Sequence, residues 1–256
     1  MIAMNPIFPD KNASHAHSLK VLNGLENFDD FMDSISTIID VGCGNGHDSY
    51  WWATRTIRDD SGNVIGTRPI DVTALDCDIS KIDTAVSELG KIKFVESDFD
   101  NIPVEKPSYD IVWAHDVLQF SADPYTTLCE WNRVCHNGGM LLLSVPRTQR
   151  NFYNRYTAIQ YDKVYHHYSL VNLIYLLALA GFDTIDDRYM QSVNDTHMWI
   201  ASYKTDTPKP KNTSMHELAH LFSKQVNDLI TKYGYISDEY LKGTWFNGSM
   251  QIIGKN

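Results

Sequence analysis

Cysteine is scarce and unpaired here: four in 256 residues (Cys43, Cys77, Cys129 and Cys135), with no Cys-x-x-Cys spacing. Neither a disulfide framework nor a thiolate metal knuckle is expected, and the thiols read as reduced. No basic start leads into an apolar run at MIAMNPIFPDKNASH, so a cytoplasmic protein is the expectation. The longest apolar stretch, Val171 to Ala180, contains Asn172 and is about half of the ~20 residues that a membrane span needs, so it reads as a core helix and no membrane partner is expected. Positive charge is in deficit, with 22 Lys and Arg against 32 Asp and Glu for a net charge of −10. That sign is wrong for gathering phosphates by counterion release, so nucleic acid is not an expected partner. Repeats and low-complexity blocks are also missing.

What remains is a foldable chain, 43% hydrophobic and 12% aromatic, of a length suited to one domain. Its texture changes once, at Lys204-Thr-Asp-Thr-Pro-Lys-Pro-Lys-Asn-Thr-Ser214, where prolines, lysines and small polar residues replace the apolar pattern. The expected organisation is an N-terminal helical segment at 1–35, a core at 36–204, a linker at 205–214 and a helical C-terminal extension at 215–256. Within the core, strands are expected at Ser36–Val41, Asp71–Leu75, Lys91–Val95, Tyr109–Trp113 and Met140–Val145. Helices are expected after the glycines near residue 46, at Ile79–Leu89, at Tyr125–Val134 and at Ser169–Ala180, the last ended by Gly181. Thr54 to Ile70 is too long for a helix-to-strand loop and reads as an insertion. Alternating strands and helices predict an α/β fold: a Rossmann-like open sheet, mostly parallel, with helices on both faces. Strands expected at Phe182–Tyr189 and His197–Tyr203, with no helix between them, predict an antiparallel hairpin at the sheet edge.

Ligands of such sheets sit beyond the carboxyl ends of the strands. The sharpest local signal lies there: IIDVGCGNGHDS, in which a strand ends at Asp40-Val41 and runs into Gly42, Gly44 and Gly46. Alternate glycines permit a tight turn and let a ligand approach main-chain amides. The next glycine of a dinucleotide fingerprint is replaced by His47. Asp40, Asp76, Asp78, Asp98, Asp100 and Asp116 all fall at or just past expected strand ends. Such a rim repels a pyrophosphate and favours a cation that carries hydroxyls and an amino group.

These residues resemble the class I S-adenosylmethionine-dependent methyltransferases over roughly Ser36 to Tyr203. Asp40-Val-Gly-Cys-Gly-Asn-Gly46 is similar to the family's first motif, VTALDCDISKIDTA to its second strand, and FVESDFDNIP to its third. YDIVWAHDVLQF, then Asp123-Pro124, Arg133-Val134, Gly138-Gly139 and Leu143-Ser-Val-Pro146, resemble the fourth and fifth strand regions. The resemblance implies S-adenosylmethionine as cofactor, held by Asp40, Gly42, Cys43, Gly44 and Gly46 of the loop, Asp76 and Cys77 at the ribose, Asp98 and Phe99 beside adenine, and His115. Asp78 competes with Asp76 for the ribose, because Asp78-Ile79-Ser80 also matches the family's pattern.

Methyl transfer needs a nucleophile held in line and a group that collects its proton. The chain has neither an Asn/Asp-Pro-Pro-aromatic run nor a Pro-Cys after the fourth strand, which favours a small-molecule methyl acceptor over nucleic acid or protein. His115 reads as a base, a cofactor contact or a structural imidazole. His167, in Tyr165-His166-His167-Tyr168-Ser169, is the second catalytic candidate. Tyr153, Tyr156, Tyr161 and Tyr165 are offered as walls of an acceptor pocket. Where many family members read Leu-Glu-His, this chain reads Leu118-Gln119-Phe120, so a cofactor-binding partner without turnover stays open beside the enzyme, as monomer or homodimer. Lesser rivals are an NAD-binding protein and a zinc peptidase, the latter from His216-Glu217-Leu-Ala-His220 with Glu239 as a third ligand. Leu218, Phe222, Val226 and Leu229 instead suggest an apolar helical stripe, which with the apolar pairs Trp245-Phe246 and Ile252-Ile253 packs on the core or on a second subunit.

Overall fold

The computed structural model describes residues 33–58, 61, 63–146, 164–185, 190–192 and 197–234. The N-terminal segment (save 33–35), Tyr153, Tyr156, Tyr161, Glu239 and the apolar pairs at 245–246 and 252–253 lie outside them.

The main sheet runs β5-β4-β1-β6-β7-β10-β8, with β9 also pairing β10. Its strands are β1 (Thr37–Val41), β4 (Asp71–Asp76), β5 (Ile92–Glu96), β6 (Tyr109–His115), β7 (Cys135–Pro146), β8 (Phe182–Asp183), β9 (Met190–Ser192) and β10 (His197–Lys204). The first five are mutually parallel, while β10 is antiparallel to β7, β8 and β9. The fold is thus the expected mostly parallel open sheet with an antiparallel edge. Helices α1 (His47–Ala53), α2 (Thr84–Ser87), α3 (Pro124–Val134), α4 (Leu170–Leu179) and α5 (Lys224–Tyr233) accompany it. The insertion holds its own antiparallel pair, β2 (Thr56–Arg58) with β3 (Val64–Thr67), apart from the main sheet.

Two cores flank the sheet. On one face Trp51 and Trp52 of α1, in edge contact at 5.0 Å, pack with Ile38, Val72, Ile111, Trp113 and Trp199. On the other, Leu128 and Trp131 of α3 and Leu173, Ile174 and Leu177 of α4 pack on Ile39, Val112, Leu141 and Leu143. The apolar run from Val171 is therefore a core helix, and no helix among the described residues is long and apolar enough to cross a membrane.

Three local expectations are corrected. Ile79–Leu89 is not one helix. A 3₁₀ turn at Ile79–Lys81 is followed by extended Ile82 and the four-residue α2. The Asp78 and Asp83 carboxylates each accept from the backbone N–H two residues on, capping two short pieces in place of one long one. β7 begins at Cys135, ahead of the expected Met140, because the chain passes through Gly138 and Gly139 without leaving the strand. The stripe from Leu218 to Leu229 is a 3₁₀ turn at Ala219–Leu221, an extended Phe222 and then α5, which Ser223 caps. Leu218, Leu221, Phe222, Val226 and Ile230 nevertheless all join the α3/α4 core.

Candidate functional site

β1 delivers the chain into the glycine loop at the carboxyl edge of the sheet. The Gly42 and Cys43 amides both donate to the Leu75 carbonyl, at 2.7 and 2.9 Å, which pins the loop to the tip of β4. Gly42 has φ of +70°, and a Cβ there would stand 2.3 Å from Val117 Cγ2, so the loop also packs on the segment beyond β6. Gly44 has φ of +52° and open space where a Cβ would be. A ligand can reach the main chain there.

Asp76, at the end of β4, lodges against this loop: Oδ2 accepts from the Gly44 amide at 2.9 Å and Oδ1 from the Asp78 amide at 3.0 Å. A carboxylate with two such bonds keeps lone pairs for a ligand. Asp78 is occupied differently, capping its turn through Ser80 and pairing with Lys81 at 3.1 Å. Ser97 N–H donates to the Asp76 carbonyl at 3.0 Å, which sets the exposed Asp98 and half-buried Phe99 beside the β4 tip. Phe99 is anchored through its carbonyl, which accepts from Trp131 Nε1 at 2.8 Å. Cys77 is exposed next to Asp76, and Cys43 is buried in the loop, where burial and the charges of Asp40 and Asp76 push its thiol pKa up.

Asp40 lies beneath the loop and not on its open side. It is 2% exposed and accepts from Ser49 Oγ at 2.5 Å. Burial, with the nearby Asp48 charge, pushes its pKa up to about 8 despite that hydrogen bond. The folded protein therefore holds a proton that the unfolded chain has released between about pH 4 and pH 8. Stability linked to Asp40 is accordingly full at low pH and declines as pH rises through that window. At about 1.4 kcal/mol per pH unit this amounts to a few kcal/mol. The Asp40→Asn variant should show a flatter dependence of Tm on pH from 5 to 8 than the parent. Parallel curves in thermal melts would refute a proton on Asp40.

His115 ends β6 and is buried. Its Nδ1 lies 3.2 Å from Asp48 Oδ2, which also accepts from Trp113 Nε1 at 3.1 Å, and its ring stacks on Trp199 at 5.0 Å. Burial works against charge on this imidazole. The Asp48 hydrogen bond and the fields of Asp116, Asp48 and Asp40 outweigh it, so the pKa lies above that of an ordinary histidine. Asp48 was not legible as a site residue: a carboxylate in the first turn of a helix reads as a partner of the helix dipole.

A methyltransferase-domain family model matches residues 39–143. Residues 39–143 are thus similar to methyltransferase domains. The match spans β1 to β7 and contains every rim residue described above. A malonyl-[acyl-carrier protein] O-methyltransferase of Yersinia pestis is 30% identical over 107 residues, 42% of this chain and 35% of that protein. Its counterpart in Serratia marcescens is 29% identical over 107 residues, 42% of this chain and 37% of that protein. The chain thus spans about a third of the length of these curated relatives. Among solved structures, the 1,6-didemethyltoxoflavin-N1-methyltransferase of Burkholderia thailandensis, which holds S-adenosylhomocysteine, superposes with a TM-score of 0.54 at 16% identity. That similarity covers 78% of this chain and 82% of that one.

His167 lies outside the matched residues, and the groove that it lines includes none of the rim residues described above. His167 is exposed and lines a groove of about 330 Å³ between α3 and α4 with Asp123, Tyr125, Tyr175 and Lys211. Its neighbourhood is tied to the rim all the same. The Gln119 carbonyl accepts from the Tyr165 and His166 amides at 3.0 and 3.3 Å, and the Gln119 side-chain amide donates to the Asp116 carbonyl at 2.8 Å. Gln119, one of the departures from the family pattern, is therefore a buried bridge. His216-Glu217-x-x-His220 lies on turns and 3₁₀ structure. Glu217 caps Ser214 at 2.8 Å and His220 pairs with Asp206 at 3.2 Å. Among the described residues no group of three His, Cys, Asp or Glu side chains could hold a metal.

Proposed function

We propose that the protein is an enzyme that transfers the methyl group of S-adenosylmethionine to an oxygen or nitrogen of a small polar acceptor, with residues 36–204 as the catalytic unit. The observation that carries this reading is Asp76 lodged against the Gly44 amide beside the open side of the glycine loop. When bound, the cofactor supplies a methyl group on a positively charged sulfur that leaves as a neutral thioether. The residues present fit that group. The open space over Gly44 leaves the loop's main chain accessible to it, Asp76 has acceptor capacity for ribose hydroxyls, and exposed Asp98 supplies an acceptor for an adenine amino group. The carboxylates of Asp76, Asp98 and Asp116 favour a cation and oppose a pyrophosphate. Asp78, spent on its own turn, is the weaker ribose candidate.

The curated relatives, both O-methyltransferases, support oxygen as the acceptor atom. Their aligned segment is about 107 residues, no longer than the matched domain. Groups that choose an acceptor outside that segment are not covered by the likeness. Calorimetry with S-adenosylmethionine, S-adenosylhomocysteine and NAD tests the cofactor. Binding of the first two and not the third is expected, and NAD binding alone would reverse the reading. Cofactor binding with no methylated product from a metabolite pool would point to a non-catalytic partner.

A further inference from the structure

We infer that Asp116 is the group that takes the acceptor's proton, with His115 and Asp48 as positioning residues behind it, and that the acceptor is therefore an uncharged hydroxyl. This inference rests on the methyltransferase reading above.

Asp116 is the first residue past β6 and, among the described residues, the only non-glycine at positive φ, +55°. Aspartate is among the non-glycine residues that enter that region most readily. Here its surroundings hold it in place. Asp116 N–H donates to the Ser144 carbonyl at 3.1 Å, Ser144 Oγ donates to Asp116 Oδ1 at 3.2 Å, and Gln119 holds the Asp116 carbonyl. The other oxygen, Oδ2, lies 3.6 Å from His115 Nε2. That nitrogen is buried and has no hydrogen-bond partner among the described residues. The imidazole thus sits between two carboxylates, with Asp48 fixing Nδ1 and Nε2 directed at Asp116. The titratable groups around it are Asp48 of α1, Asp116 itself and Asp40 of β1, the last protonated below about pH 8, while β10 contributes the Trp199 ring. Burial separates the roles: the His115 side chain is 5% exposed, against 21% for Asp116. Asp116 is the member of the row that can meet a substrate.

In the reaction the acceptor oxygen forms a bond to the methyl carbon, the carbon–sulfur bond breaks with its electron pair going to sulfur, and the hydroxyl proton goes to Asp116 Oδ2. A hydroxyl oxygen carrying a new methyl group is strongly acidic, so an ordinary carboxylate suffices as its base. A methylated ammonium, with a pKa near that of lysine, would keep its proton against a carboxylate. A carboxylate acceptor has no proton to give and would be repelled.

The test uses the full chain, labelled S-adenosylmethionine and a panel of alcohols, phenols, amines and carboxylates that includes malonyl-pantetheine. Turnover confined to alcohols or phenols is expected. Asp116→Asn should lower kcat about 10²-fold, within the usual range for a lost proton acceptor, and His115→Gln and Asp48→Asn less. S-Adenosylhomocysteine affinity should change far less than kcat in all three, since the role inferred for the row is at the acceptor's proton. Independently of any acceptor, the His115 imidazole followed by NMR should titrate above an ordinary histidine and fall in both Asp116→Asn and Asp48→Asn. Preferred turnover of a carboxylate or amine, an unchanged kcat in Asp116→Asn, a loss of S-adenosylhomocysteine binding in that variant alone, or an unmoved His115 titration would each overturn the inference. Failure of the parent to bind either adenosyl compound would instead overturn the methyltransferase reading, and this inference with it.

Discussion

Removal of residues 205–256 is expected to leave a chain that does not fold. The segment from Thr205 to Ser214 is strapped along the helices. Lys209 N–H donates to the Leu179 carbonyl at 2.7 Å, Tyr125 Oη to the Lys209 carbonyl at 2.5 Å and Tyr175 Oη to the Thr213 carbonyl at 2.5 Å. Beyond it, Leu218, Leu221, Phe222, Val226 and Ile230 are each at most 5% exposed, in the same core as α3 and α4. Thr184 N–H donates to the Leu221 carbonyl at 2.7 Å, so the end of β8 depends on the same segment. Burial of five such side chains contributes together about 7–15 kcal/mol, which is the size of the whole stability of an ordinary domain. A truncated chain should therefore show no cooperative thermal transition, and Phe222→Ala in the full chain should cost about 3–5 kcal/mol. A truncated protein melting cooperatively within a few degrees of the parent would contradict the packing.

Much of this architecture could be read from local pattern. Strand ends fell within a residue or two in β1, β4 and β5, because short β-rich runs bounded by polar residues carry their own limits. Gly181 stopped α4 for a reason that the chain shows twice over. It has φ of +83°, and a Cβ would collide with the Asp206 carbonyl at 2.3 Å. Two of the three failures share a cause: side chains that bond to their own backbone, Asp78, Asp83 and Ser223, split apolar periodicities that looked continuous, while the early start of β7 comes from Gly138 and Gly139 staying within the strand. The rim was legible because each of its residues sits at a strand tip, where topology alone brings distant segments together. The Asp48–His115 contact was not, since it joins positions 67 residues apart through side-chain direction, which periodicity does not encode.

The largest effect on ligand binding is expected from Asp76→Ala. This change removes the acceptor proposed for the ribose and also the partner of the Gly44 amide, so the loop loses a tether at the point where it opens toward solvent. Hydrogen bonds to a charged group contribute about 1.5–3 kcal/mol each. The loss of two should weaken S-adenosylhomocysteine binding about 10²- to 10⁴-fold. Asp78→Ala is the control, because its carboxylate serves the Ile79–Lys81 turn and the exposed Lys81. That variant should lose a little stability, as a removed cap does, with little change in affinity. Calorimetry on the two variants separates the readings. If Asp78→Ala weakens binding more than Asp76→Ala, the ribose contact belongs to Asp78, and the tip of β4 serves only to hold the glycine loop.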